Sequence, residues 1–181
     1  HREEVWGPAS IFCQQRRAFL IMDPRSSWTD ADTVSTEVKD LRTGLVKDYA
    51  AIYWPRITVS TNGSTKAVDP GGSIAGLMAR IDSNRGVWKA PAGIGADIRG
   101  IRGVEHMMSD PENGLINPLA ANAIRVFPNG IVSWGARTMD GFDNSGNLDY
   151  KYVPVRRFAL FMEESLYRGL KFAVFEPNDE P

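Results

Sequence analysis

The chain reads as an α/β protein of mixed α+β character, a parallel or mixed β-sheet flanked by helices, and three segments carry that reading. Residues 18–22 (AFLIM) are a continuous apolar run that stops at Asp23-Pro24, and a run apolar on both faces is the pattern of a strand buried in a parallel sheet. After a capping-box-like start at Thr29-Asp30-Ala31-Asp32, the residues Val34, Val38, Leu41 and Leu45 recur at spacings of four, three and four, which predicts a helix with one apolar stripe. Residues 49–54 supply a second strand closed by Pro55, so residues 18–54 predict a βαβ unit with a right-handed crossover.

The other elements follow in chain order. Residues 8–16 predict a short helix or the end of one. Residues 60–72 (STNGSTKAVDPGG) are polar and rich in turn formers, which predicts a loop or insertion point rather than a core element. A helix starting near Ser73, with Ser73 as its N-cap, carries Ile74, Leu77, Met78 and Ile81 on one face. Beyond Gly86, glycine and proline punctuate short segments: a helical turn within 111–121, a hairpin of 124–127 and 131–134 across Pro128-Asn129-Gly130, and an exposed loop over 141–147. Residues 155–169 predict a helix whose stripe is Phe158, Phe161, Met162 and Leu166, with Glu164 and Arg168 as a surface pair. It feeds a strand over 171–175, and residues 1–181 read as a single domain.

Composition narrows the function classes. Apolar residues make up 43% of the 181 and charged residues 24%, enough for one substantial core. A net charge of -1 offers neither the basic surplus of a nucleic-acid footprint nor a basic amphipathic helix for a membrane surface. No apolar stretch approaches the ~20 residues of a membrane helix, and no signal peptide opens the chain. The single cysteine, Cys13, beside Ile11 and Phe12, belongs to no zinc pattern and reads as a small buried apolar residue of a chain made in a reducing compartment. The absence of an initiator methionine and the stop after an apolar segment set the expectation of a piece of a longer polypeptide.

Each constellation that could carry chemistry fails on spacing or partners. Asp23 at a strand end has the position of a magnesium-binding carboxylate, which gives the alternative reading of an α/β phosphate-ester or nucleotide hydrolase using a divalent metal. That chemistry needs a GxxxxGK[ST] loop, and the chain has none. Gly93-Ile94-Gly95 begins a dinucleotide fingerprint, but the third glycine is displaced to Gly100. Pro70-Gly71-Gly72-Ser73 could cradle an anion at a helix start, but Ser73 as an ordinary N-cap is the preferred reading. Glu105 and His106 are adjacent and, on a strand, point to opposite faces, so His106 reads as structural. Glu163 and Glu164 diverge by about 100° on a helix; one should pair with Arg168 and the other with an arginine such as Arg156, Arg157 or Arg137. No metal and no cofactor is expected.

The motifs themselves carry a resemblance. Residues 86–93 (GVWKAPAG, with Trp88, Lys89 and Pro91) are followed by Asn117, by Asn122-Ala123-Ile124-Arg125 and by Trp134-Gly135-Ala136-Arg137-Thr138. Then come Tyr152-Val153-Pro154-Val155-Arg156-Arg157, Glu163-Glu164-Ser165 and Phe175-Glu176-Pro177-Asn178. In order and spacing these resemble the C-terminal core of contractile tail sheath proteins of bacteriophages, phage-tail-like bacteriocins and injection systems, densely over 73–178 and more weakly over 9–55. The resemblance implies a sheath-core domain and a structural subunit rather than an enzyme. It implies polymerisation with copies of itself around an inner tail tube protein, and contraction that drives the tube through a target envelope. Baseplate and tail terminator proteins are the further partners implied, with no nucleic acid and no membrane insertion. The implied location is the sheath of a virion or particle assembled in the bacterial cytoplasm. The family links neighbours by terminal arms that add strands to an adjacent sheet, and by the family pattern this sequence lacks them. Trp88, Lys89, Pro91, Asn117, Arg125, Trp134, Arg137, Arg156, Arg157, Glu163, Glu164 and Glu176 are the structural or interface candidates.

Overall fold

A computed structural model describes residues 2–144 and 148–177. A four-stranded mixed sheet forms the centre, in the order β1 (Leu20–Met22), β2 (Ala50–Trp54), β6 (Ala121–Phe127), β7 (Gly130–Ser133). The first three strands are parallel and β7 returns antiparallel to β6 as a hairpin. A second sheet, β4 (Ser64–Val68), β3 (Ile57–Thr61), β5 (Gly103–Val104), stands beside it, in the excursion between β2 and β6.

Side-chain alternation along β2 builds a core on each face. Ala50, Ile52 and Trp54 face one cluster, with Val34, Val38, Leu41, Met108 and Ile116. Ala51 and Tyr53 face the other, with Ile74, Leu77, Met78, Ile81 and Val153. The first cluster belongs to α2 (Ala31–Glu37) and α4 (Asp110–Ile116), the second to α3 (Gly71–Arg85) and α5 (Val153–Gly169). All five residues of β2 are buried, so the doubly apolar strand is β2. Residues 18–22 instead yield a three-residue edge strand in which Met22 alone is fully buried.

Helix starts are set by local chemistry. Asp30 caps α2, its Oδ1 accepting the Thr33 N–H at 2.8 Å. The helix ends at Glu37 and a 3-10 turn, Asp40–Arg42, follows, where a single helix through Leu45 is expected from the stripe. The hydroxyls of Ser35 and Thr36 bond back to the carbonyls of Asp32 and Thr33, competing with the helical ladder. Val34, Val38 and Leu41 are still buried on one side. α1 (Arg2–Gln15) is longer than the sequence suggests, with Pro8 inside it. Cys13 is buried, and desolvation pushes its thiol up.

Three expectations are corrected. Residues 60–72 are not a loop: Ile57–Thr61 and Ser64–Val68 pair as a hairpin across Asn62 and Gly63, whose φ values of 50° and 82° are those of a tight two-residue turn. The polar Ser and Thr residues disguise β-branched strands with a solvent-facing side. Ser73 does not cap α3, which begins at Gly71 after Pro70. Asp23 does so across the fold, its Oδ1 accepting the Gly71 N–H at 2.9 Å. This commitment to a helix start, where backbone N–H groups favour negative charge, replaces the hydrolase reading of Asp23. Residues 171–175 are not a strand: a 3-10 turn, Leu170–Ala173, ends α5, and the residues after it are exposed. Ser145, Gly146, Asn147 and Asn178, from the expected loop and the last motif, lie outside the described residues.

Replacing Asp23 with Ala should lower stability by about 1 kcal/mol, the size of a lost helix cap. The measurement is a urea melt, with a reduced midpoint at unchanged slope; an unchanged midpoint would show that α3 does not use this carboxylate.

Candidate functional site

The motif residues converge on a cross-brace between the central sheet and the segment that follows β7. Asn122, fully buried in β6, is its centre. Its Nδ2 donates to Ile52 O of β2 at 3.0 Å and to Arg137 O at 2.8 Å, while its Oδ1 accepts the Arg137 N–H at 2.7 Å. The approach requires Gly135, where a Cβ would lie 2.8 Å from Asn122 Cα. After a last backbone bond, Trp134 N to Ala123 O at 2.8 Å, residues 135–137 are joined to β6 through the Asn122 side chain.

Arg137 extends the brace outward. Its Nη1 donates to Gly141 O at 2.8 Å and pairs with Asp143 at 2.6 Å, and Lys151 Nζ meets the same Asp143 oxygen at 2.7 Å. These two cationic donors, Lys151 first, hold the Asp143 carboxyl down to about 2. Thr138 Oγ1 donates to Tyr150 O at 2.7 Å, and Val153 N donates to Ala136 O at 2.9 Å, so the brace ends at the first residue of α5.

Three charged contacts then fasten α5. Arg156 is 4% exposed, with Asp48 at 3.4 Å from its Nε, and its guanidinium lies 3.7 Å from the Tyr49 ring centre and 4.3 Å from that of Tyr150. Arg157 forms a bidentate pair with Asp82 of α3, at 3.0 and 2.5 Å. Glu164 meets Arg17 at 3.1 Å and Arg168 at 2.5 Å. The partner of Glu163 is also Arg17, at 3.9 Å, rather than Arg156, Arg157 or Arg137. Those three arginines are engaged by Asp48, Asp82 and Asp143 from other elements, which adjacency on α5 does not disclose.

The remaining candidates divide between interior and surface. Arg125 is buried and ties β6 to Asp110 at the start of α4, 2.7 Å away. Trp134 packs on Phe127 with ring centres 4.6 Å apart. Asn117 closes α4 and accepts the Ala120 N–H at 3.0 Å. Pro91 is buried, and Lys89 is half-buried with Nζ on Ala90 O at 2.9 Å. Trp88 is 62% exposed and stands edge-on to Phe158; it leans over Gly86, where a Cβ would meet the ring at 2.3 Å. Glu163 and Glu176 are exposed. His106 is structural, stacked on Trp54 at 4.9 Å with Nε2 2.8 Å from Glu112, while Glu105 turns to Arg56.

The expected apolar stripe of α5 is on the outside. Phe158, Phe161, Met162 and Leu166 are 40–50% exposed, and the buried face is Val153, Arg156 and Leu160. The helix thus offers an apolar surface away from the sheet. Among the described residues no cluster of three or more His, Cys, Asp or Glu could hold a metal ion, and no helix is long and apolar enough to cross a membrane.

Comparison with known proteins places this arrangement. Residues 10–139 match the family model of the phage tail sheath protein central domain. The chain is 29% identical to one in the baseplate of the anti-feeding prophage, with a TM-score of 0.77, covering 99% of this chain and 44% of that one. To the contracted helical sheath of the same particle it is 30% identical, with a TM-score of 0.76 over 99% of this chain and 46% of that one. To the contracted PVC sheath complex of an extracellular contractile injection system it is 30% identical, with a TM-score of 0.71 over 89% and 43%. The chain spans less than half the length of these solved chains. No curated protein matches it.

Two outcomes test the brace. Asn122→Ala removes three hydrogen bonds at a buried position and should lower stability by about 3 kcal/mol or more, read from urea unfolding. For Asp143 the folded pKa lies below the usual carboxylate value, so its pairing stabilises the fold above that value and is lost as the pH falls toward about 2. A carboxyl NMR titration should give a midpoint near about 2 in the wild type. In Lys151→Ala the midpoint should rise toward the ordinary aspartate range.

Proposed function

Since the chain belongs to the phage tail sheath protein family, we propose that it is the core domain of a sheath subunit, a single folded unit that assembles with copies of itself around an inner tube. The observation that carries this is the match to sheath and baseplate chains across nearly the whole sequence. The family and these structures are of structural sheath proteins, not enzymes.

The geometry supports a load-bearing role. A contracting lattice must move subunits as rigid bodies, because packed interfaces switch between discrete arrangements rather than deforming continuously. The motif residues serve that rigidity here: Asn122 locks the segment after β7 to the sheet, and Arg156 and Arg157 lock α5 to the turn before β2 and to α3. Trp88, Glu163, Glu176 and the outer stripe of α5 are the exposed positions for contacts with neighbouring subunits. Contraction drives the tube through a target envelope, with baseplate and tail terminator proteins at the two ends of the polymer. Assembly takes place in the bacterial cytoplasm, and the product is the sheath of a phage-like particle.

The test is negative-stain microscopy of the intact subunit co-expressed with its tube protein. Hollow helical tubes, shortened and widened after acid or denaturant treatment, are expected; repeated absence of any polymer would overturn the reading.

A further inference from the structure

α5 leaves the body of the fold partway along its length. Its buried residues are Val153, Arg156 and Leu160, and no described residue after Leu160 is buried. The helix nevertheless continues to Gly169. A helical segment this short is marginal in water on its own hydrogen bonds. Contacts with other elements therefore decide whether it stays formed and where it points.

Arg17, in the turn between α1 and β1, reaches this distal half with one side chain. Its Nη1 donates to Glu164 Oε2 at 3.1 Å, its Nε lies 3.9 Å from Glu163 Oε2, and its guanidinium lies 4.6 Å from the ring centre of Tyr167. Tyr167 is three residues from Glu164 and four from Glu163, so these side chains are neighbours on the helix surface. The backbone of Arg17 is unusual as well. Its φ is 53°, in the left-handed region, and Ala18 N turns back to Cys13 O at 2.9 Å to close α1. Glycine ordinarily takes this position at a helix end, because a Cβ is disfavoured there. An arginine held in a glycine conformation, with its side chain laid across a distant helix, points to a role that glycine could not fill.

We propose that Arg17 is a salt-sensitive latch on α5, which holds the distal half of the helix formed and aims it. The root of the helix is fixed differently. Arg157 and Asp82 form a bidentate pair whose side chains are 17% and 29% exposed, whereas those of Arg17 and Glu164 are each 34% exposed and joined by one hydrogen bond. Dissolved ions screen the more exposed pair more strongly, so ionic strength opens the latch while the root stays in place. Opening leaves no carboxylate stranded, because Glu164 Oε1 already accepts from Arg168 Nε at 2.5 Å. The latch belongs to the single domain and works whether or not the domain polymerises. It sets the direction in which the outer stripe of α5 faces.

Amide hydrogen exchange read by mass spectrometry, with Arg17→Gly as the variant, tests the latch. Glycine removes the side chain while suiting the backbone, so the two roles of the position separate. Residues 161–169 should exchange about three- to tenfold faster than in the wild type, with 153–160 unchanged and the urea midpoint little altered. Glu163→Ala combined with Glu164→Ala should release the same segment, although alanine is the better helix former, and adding Arg17→Gly should release it no further. Sodium chloride at about 1 M, where the Debye length is about 3 Å, should release it in the wild type and change little in Arg17→Gly. Free-chain exchange of 161–169 in the wild type, unchanged protection in Arg17→Gly, or an equal salt response of the two proteins would overturn the proposal. A lowered urea midpoint with every segment exchanging faster alike would overturn it too, since Arg17 would then support the whole fold rather than one half of a helix.

Discussion

The fold depends on one buried amide. Asn122 sits at a position of β6 where an apolar residue would pack more cheaply, and its side chain satisfies backbone groups of both β2 and the segment at Arg137. A buried polar group of this kind is favourable only when fully partnered, and then it admits one arrangement of the chain. Gly135 makes the approach possible, Thr138 and Lys151 continue it, and the start of α5 is placed by its far end. The glycines and arginines of the motifs are the parts of one brace.

This brace turns the chemistry of the motifs into stiffness. Surface ion pairs contribute little singly, but Arg156 and Arg157 of α5 reach two different elements, Asp48 before β2 and Asp82 on α3, and Arg137, in the segment after β7, holds the loop at Asp143. Arginine suits the task, because its planar guanidinium can both pair with a carboxylate and stack on a ring, as Arg156 does between Tyr49 and Tyr150. Displacing α5 would break its contacts with the turn before β2, with α3 and with the second core at once. A domain so braced moves as one rigid body.

The sequence discloses these elements unevenly, for physical reasons. α3 is legible from its apolar spacing, though its cap is not, and the β6–β7 hairpin from its turn glycine, while α4 shows in the sequence only as a helical turn. The β3–β4 hairpin is hidden because Ser and Thr strands look like loop when one side faces water, although Asn62-Gly63 is itself a hairpin signal. The side of α5 that meets the sheet is not legible: periodicity finds an apolar stripe but cannot say whether it turns inward, and here the inner face includes a charged residue, Arg156. The sequence places Arg156 and Arg157 among the important residues, but their partners Asp48 and Asp82 lie far away in the chain and have no local signature. Asn122 could have been singled out as the lone amide within an apolar strand.

The buried cysteine bears on how the molecule can be handled. Cys13 is the chain's one thiol, it is enclosed by the fold, and desolvation suppresses its thiolate, the form that reacts with alkylating probes. The native surface is therefore silent toward thiol chemistry. Any cysteine introduced on the outer stripe of α5 or at the tip of the β3–β4 hairpin becomes a unique attachment point for a spin label, a fluorophore or a crosslinker. A label placed there reports on that surface without a background from Cys13.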